Sequence, residues 1–310
     1  MVKIFFTFKP SKSNYGGGAF FVENLIKYLK NLNYKITYNL ENDIDIIFIT
    51  DPRKGKNKKY SIDDIINYKK NFSNVKIIHR VNENDIKREK SINIESLLVK
   101  TMYIANKIVF VSKWLETYFI KKYKLKINST SILNGCNPEY YFPIRDKKLN
   151  KKIRIVTHHW SDNYLKGFHI YNEIDKYLEK HKNFEFIFIG NYNKSYKPRN
   201  IKLMKPTHSL ELGNLLRECD IYLTATQNEP GGMHYLEGAS CGLPILFCKG
   251  GGGTTEICSK FGLEFKDLKD MLNKLNIIKE NYDDYRKKID YEYLSSDRCS
   301  NEYINIIKDL

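Results

Sequence analysis

In the run Glu229-Pro230-Gly231-Gly232-Met233-His234-Tyr235-Leu236-Glu237, two carboxylates flank a Gly-Gly pair at a spacing that can do chemistry. The strand expected before them, Asp220 to Thr224, is a short apolar run of the buried type. Gly231 and Gly232 are expected to open a helix. Its first N–H groups, through Met233 and His234, lack intrahelical partners and offer a site to an anion. Glu229 then stands just before the helix and Glu237 about two turns into it. Carboxylates accept hydrogen bonds from sugar hydroxyls, which suits a ligand with a phosphate middle and a sugar at each end. The plainer reading makes Glu229 a solvated loop acid and Glu237 a surface helix residue.

The residues after the pair favour the first reading. Gly238-Ala239-Ser240-Cys241-Gly242 is a run of small residues, Pro244 ends the turn, and Ile245 to Cys248 reads as the next buried strand, leading into Gly250-Gly251-Gly252-Gly253-Thr254-Thr255-Glu256. In this form the unit resembles the donor-site signature of the GT-B glycosyltransferases, in particular the large retaining family-4 group. The resemblance implies a nucleotide-sugar donor, with Glu237 on the ribose hydroxyls, Glu229 on the transferred sugar and the N–H groups of Gly231 to His234 on the diphosphate. It implies no metal and no other cofactor. The departing phosphate oxygen would take the acceptor's proton, so no protein base is required.

Further positions join this set. Gly16-Gly17-Gly18 lets backbone approach a ligand at a helix N-terminus; it lacks the GxGxxG spacing of a dinucleotide fingerprint and resembles the glycine-rich loop after the first strand of the family. His79, read as directly following a strand at Val75 to Ile78, matches a family histidine that faces the transferred sugar. Lys166-Gly167 matches the family's Lys-Gly, whose lysine neutralises the donor diphosphate. The arginine that usually ends the preceding strand has no counterpart, and His158 or His159 stands near its place. Adjacent histidines on a strand point to opposite faces, which argues against a shared metal. Lys205 and Pro206 match residues lining the nucleobase pocket. Asp43 and Asp45 spell D-x-D but enter an apolar strand, as a cap and a strand edge.

These residues must be positioned by alternating strands and helices. Strands are expected at Val2 to Phe8, Tyr34 to Tyr38, Asp45 to Ile49, Val75 to Ile78, Lys107 to Val111 and Thr130 to Leu133, with helices at Ala19 to Lys30 and near 61 to 72, 91 to 106 and 112 to 123. The pattern restarts at Ile153, with strands at Phe184 to Gly190 and near Lys202, and is helical from Asp267 onward, interrupted near Ser295. Such alternation gives a doubly wound parallel sheet, with ligands beyond the strands' carboxyl ends. The expected fold class is α/β, two Rossmann-like doubly wound domains facing each other across a cleft. The expected domains are residues 1–136 for the acceptor, a linker at 137–151, residues 152–294 for the donor, and a C-terminal helix at 295–310 that in GT-B folds packs back on the first domain.

At 310 residues and 42% hydrophobic content the chain can bury two cores. With no membrane-length apolar run and no export signal it is expected in the cytoplasm. The six cysteines show no CxxC pair, so reduced buried thiols are expected. The 52 basic against 36 acidic residues, a net charge of +16, would draw the chain to polyanions. Nucleic acid is not expected, because the basic residues form no stripe and no recognised motif. Peripheral contact with an anionic membrane stays open: Trp114 to Lys124 mixes aromatic and basic residues, although a core-packing helix with a solvated lysine face is the preferred reading. The expected function is transfer of a sugar from a UDP- or GDP-sugar to a hydroxyl of a glycan, lipid or protein-linked sugar. A nucleotide-sugar epimerase of similar fold, or a basic nucleic-acid-binding protein, is the alternative.

Overall fold

The computed structural model describes residues 1–10, 16–55 and 58–310; residues 11–15 of the expected glycine-rich loop lie outside that set. The chain divides into two units. The first comprises Met1–Asp85, Lys90–Asn134 and Ser296–Leu310, the second Ile86–Glu89 and Gly135–Ser295. Residues 137–151, expected as a linker, thus group with the second unit. There Lys147 Nζ donates to the carbonyls of Arg217 and Cys219, and Asn150 Nδ2 lies 2.9 Å from Asp220 Oδ1.

The first unit runs β1 (Lys3–Phe6), α1 (Gly17–Asn31), β2 (Lys35–Thr37), β3 (Ile46–Ile49), α2 (Ile62–Asn71), β4 (Lys76–Val81), α3 (Glu95–Met102), β5 (Lys107–Phe110), α4 (Lys113–Tyr123) and β6 (Ser129–Ser131). Its parallel sheet has the order β2-β1-β3-β4-β5-β6. Ile4, Phe6, Phe48 and Ile78 form a core with Phe21, Leu25 and Leu29 of α1. Tyr303, Ile304 and Ile307, from the last helix of the chain, complete that layer.

The second unit runs β7 (Ile153–His159), α5 (Phe168–Lys180), β8 (Phe184–Gly190), β9 (Lys202–Met204), α6 (Ser209–Arg217), β10 (Ile221–Thr224), α7 (His234–Ser240), β11 (Ile245–Cys248), α8 (Gly253–Cys258), β12 (Gly262–Phe265), α9 (Leu268–Glu280) and α10 (Tyr282–Lys287). Helix α11 (Ser296–Lys308) returns to the first unit. The sheet order β12-β11-β10-β7-β8-β9 is again parallel. The chain moves outward from β7 through β8 to β9, then restarts on the other side of β7 at β10. That reversal makes the gap beyond the carboxyl ends of β7 and β10 the topological switch point, where sheets of this class open a crevice for ligands. In the first sheet the corresponding reversal lies between β1 and β3.

Several expectations are corrected. Strand β4 continues through His79 to Val81, because Arg80 and Val81 pair with Val109 and Phe110; His79 lies inside the strand instead of after it. Helix α7 begins at His234, beyond Gly231 and Gly232. A Cβ on Gly232 would lie 2.6 Å from the His234 ring, so this glycine makes room for a side chain instead of opening the helix. Glu237 consequently sits in the first turn of α7 and not two turns in. The helix read over 91–106 is confined to Glu95–Met102, and the C-terminal helical stretch is broken from Lys288 to Ser295. Strand β12 has no counterpart among the expected strands; it is a short edge strand with little alternation.

Helix α4 packs inward. Leu115 and Phe119 are buried, the Tyr118 and Tyr123 hydroxyls lie 2.8 and 2.6 Å from the buried Glu95 carboxylate, and Lys122 pairs with the same group. Asp43 and Asp45 are both bound by Lys3, the first through its ammonium and the second through its backbone N–H. All six cysteines are buried free thiols. Among the described residues no helix is long and apolar enough to cross a membrane.

Candidate functional site

The loops leaving β7 and β10 carry the residues that meet at the second sheet's switch point. After β7, a single 3₁₀ turn at Tyr164–Lys166 is capped by the Asn163 side chain and closed by Gly167 at φ 111°. A Cβ there would lie 2.8 Å from both Ala225 and the Tyr171 ring, so only glycine lets the turn settle on the strand. The Tyr171 hydroxyl donates to the Lys166 carbonyl at 2.9 Å, and Gln227 N–H donates to that of Leu165 at 2.9 Å. These bonds fix the backbone beneath Lys166.

After β10, Glu229 is held by a backbone clamp. Its N–H donates to Gly251 O at 3.2 Å, and its carbonyl accepts from Gly253 N–H at 2.8 Å. A Cβ on Gly252, at φ 68°, would sit 2.8 Å from the Glu229 carbonyl, which explains part of the glycine run after β11. So positioned, Glu229 forms an ion pair with the Lys166 ammonium, and the two side chains are only 7% and 15% exposed. Burial alone would raise the Glu229 pKa, but Lys166, with Lys87 and His234, outweighs it and holds the carboxyl down at about 2. Lys87 belongs to the short segment Ile86–Glu89, whose carbonyls accept from Asn228 and Asn163 side chains.

Glu237 projects from α7 to His158 of β7, with Oε2 2.6 Å from Nε2. His158 Nδ1 lies 3.1 Å from the Tyr222 hydroxyl of β10. His234, named in the sequence as an N–H donor, turns its ring inward, Nε2 3.1 Å from Thr224 Oγ1. Burial, aided by Lys166, pushes its pKa well below the ordinary range. His159 points to the other face, among Phe168, Tyr171 and Phe188, with Nδ1 2.7 Å from the Ser161 carbonyl and its pKa lowered by burial to about 3. The two histidines therefore diverge, and among the described residues no group of three metal-ligating side chains forms. Lys205 is exposed just beyond β9, and Met233 is half-buried beside the α7 N-terminus.

Residues 144–295 match the family described as Glycosyl transferases group 1, a span that contains this whole arrangement of Lys166, Glu229, Gly231, Gly232 and Glu237. Residues 144–295 are a group 1 glycosyl transferase domain. The fold of the full chain matches that of solved GT-B glycosyltransferases. HepE of Anabaena, solved with UDP and glucose, superposes with a TM-score of 0.73 at 13% identity over all of both chains. Sucrose-phosphate synthase of Thermosynechococcus elongatus gives 0.73 at 10% identity, over all of this chain and 99% of its own. A glycosyltransferase of Rickettsia africae gives 0.69 at 16% identity, over 99% and 98%. No curated protein matches the sequence significantly.

The transferase domain thus brings together Lys166, Glu229, Gly231, Gly232, Met233, His234 and Glu237 at one switch point. Gly16, Gly17, Gly18 and His79 belong to the first unit. Gly16, at φ 127°, caps α1, and a Cβ on Gly18 would touch the Asn82 amide at 3.5 Å, so the glycines adjoin the carboxyl end of β4. His79 is fully buried, with neither ring nitrogen bonded among the described residues, and burial lowers its pKa to about 3. Sequence reasoning missed the bonding of His158 and the part played by Tyr222. The available signals were a His-His pair ending a strand and a lone polar hydroxyl inside an apolar one.

Proposed function

We propose that the chain moves a sugar from a nucleoside-diphosphate donor, held by the transferase domain, to a hydroxyl acceptor on a glycan, lipid or glycosylated molecule. The observation that carries this reading is the buried Lys166–Glu229 pair at the switch point of the second sheet. An ammonium has three donors. One serves Glu229, leaving two for diphosphate oxygens as negative charge grows on the leaving group. Glu229 gives one oxygen to Lys166; its other oxygen accepts from a hydroxyl of the transferred sugar. The turn from Gly231 to His234 lines the diphosphate, Glu237 takes the ribose and Lys205 borders the nucleobase.

Transfer proceeds with retention and without a metal ion: the leaving phosphate oxygen accepts the acceptor's proton, and preorganised charge at Lys166 replaces a Lewis acid. Gly16 to Gly18 and His79 of the first unit serve the acceptor and the transferred sugar. Burial keeps His79 a neutral imidazole inside β4. Anabaena HepE, with the same fold, has been solved with UDP-glucose, which supports a UDP-sugar as the first donor to try.

The test is turnover of Glu229→Ala and Lys166→Ala. Each is expected to lose about two or more orders of magnitude, the scale of one transition-state electrostatic contact. Near-parental rates in both would refute the assignment.

A further inference from the structure

We propose that His158 is the positioning residue for Glu237, holding one carboxylate oxygen so that the other faces the nucleotide, and thereby sets the affinity for the donor. The inference rests on the donor-site reading above and adds a residue to it.

The geometry centres on Tyr222. Its ring fills the space where a Cβ on Gly238 would stand, 2.4 Å from Cδ2, so α7 rests directly on the ring and presents Glu237 beside it. The Tyr222 hydroxyl accepts from the His158 backbone N–H at 3.2 Å and meets His158 Nδ1 at 3.1 Å. Burial raises the Tyr222 pKa far above its ordinary value, so the hydroxyl keeps its proton; of its two acceptors on His158, Nδ1 at 3.1 Å is nearer than the backbone carbonyl at 3.3 Å. With Nδ1 accepting, Nε2 carries a proton and points it at Glu237 Oε2, 2.6 Å away. His158, Tyr222 and Glu237 are 4%, 0% and 8% exposed. This relay crosses from β10 to β7 to α7 and anchors one carboxylate oxygen.

Both His158 nitrogens are therefore in use. A general base needs a free nitrogen within reach of a substrate proton, and this ring offers none, so it orients and does not transfer protons. Glu237 Oε1 receives no hydrogen bond among the described residues and is the atom left for a ligand hydroxyl.

The experiment compares His158→Phe and His158→Gln in the full chain, using whichever of UDP and GDP raises the melting temperature of the parent protein as the binding probe. Phenylalanine keeps the edge-to-face contact with Tyr222 but donates nothing to Glu237; glutamine can still donate from its amide. We expect His158→Phe to weaken nucleotide binding and raise the donor KM by about ten-fold or more, the loss of one charge-assisted hydrogen bond, with kcat within about three-fold because the bond is the same in ground and transition states. His158→Gln should recover most of the affinity. A kcat loss at unchanged KM, or Gln no better than Phe while both fold with parental melting temperatures, would overturn the proposal. If His158→Phe melts early, His158→Gln alone decides it, by near-parental affinity or the lack of it. Glu237→Gln separates this failure from that of the donor site: parental nucleotide affinity in that variant, or no binding of either nucleotide to the parent, removes the ribose role of Glu237 and with it that of His158.

Discussion

At the scale of single residues, the pair Lys166–Glu229 and the buried histidines carry the main consequences. Lys166→Ala leaves a nearly buried carboxylate without its cation, a change that typically costs about 3–5 kcal/mol; Glu229→Ala should cost less, because the more exposed, flexible Lys166 side chain can carry its ammonium to water. The double variant is expected to regain part of that stability but none of the activity, which chemical denaturation and turnover measured together would reveal. Stability of the double variant equal to the sum of the single losses would deny the coupling. Glu229, titrating near 2, is held below its unfolded value, so its contribution is full above about pH 4.5 and fades only as pH falls toward 2. His79 and His159 titrate near 3 and His234 well below its ordinary value, whereas the unfolded chain protonates histidine near 6.5. The unfolded state then binds more protons at pH 5, and each of these histidines should remove about 1.4 kcal/mol of stability per pH unit of acidification below 6.5. Urea melts between pH 7 and 5 measure this; a flat profile would mean that these rings are protonated in the native state. Glu229, Lys166 and Glu237 were legible because their spacing follows the chain. The bonding of His158 was not, because its partners Tyr222 and Glu237 lie on two later elements.

At the scale of elements, glycines decide where helices and turns can settle. Gly238→Ala would place a methyl 2.4 Å from the Tyr222 ring and must push α7 off its seat. Overpacking of this kind costs about 1–3 kcal/mol, and the displacement should weaken nucleotide binding through Glu237. Unchanged stability in a denaturant series would show that α7 has slack. The strands of the first half were readable as short apolar runs, as parallel strands buried on both faces are. Strand ends were less readable. His79 and Arg80 look like a polar exit from β4, yet both are buried within it, Arg80 stacked 4.0 Å from the Phe21 ring. Likewise Gly231-Gly232 looks like a helix start, and only the ring of His234 folding back shows why glycine is needed before the helix.

At the scale of the molecule, an alternation of strand and helix that restarts at Ile153 pointed to two sheets, as the structure shows. Which unit claims residues 86–89 and 137–151 was not readable, since that depends on side chains of Asn163, Asn228, Lys147 and Asn150 reaching distant backbone. The charge of +16 is dispersed, and helix α4 spends its aromatic residues on Glu95 and the core of the first unit. On the proposed function, the transferase domain binds a sugar nucleotide through Lys166 and Glu229. Thermal unfolding of the full chain with UDP-, GDP- and ADP-sugars tests it directly. One of the three, at a hundred times its dissociation constant, should add about 2.7 kcal/mol to the parent protein, and that gain should vanish in Lys166→Ala and Glu229→Ala. The contradicting result is a parent stabilised by none of them, or variants stabilised as much as the parent.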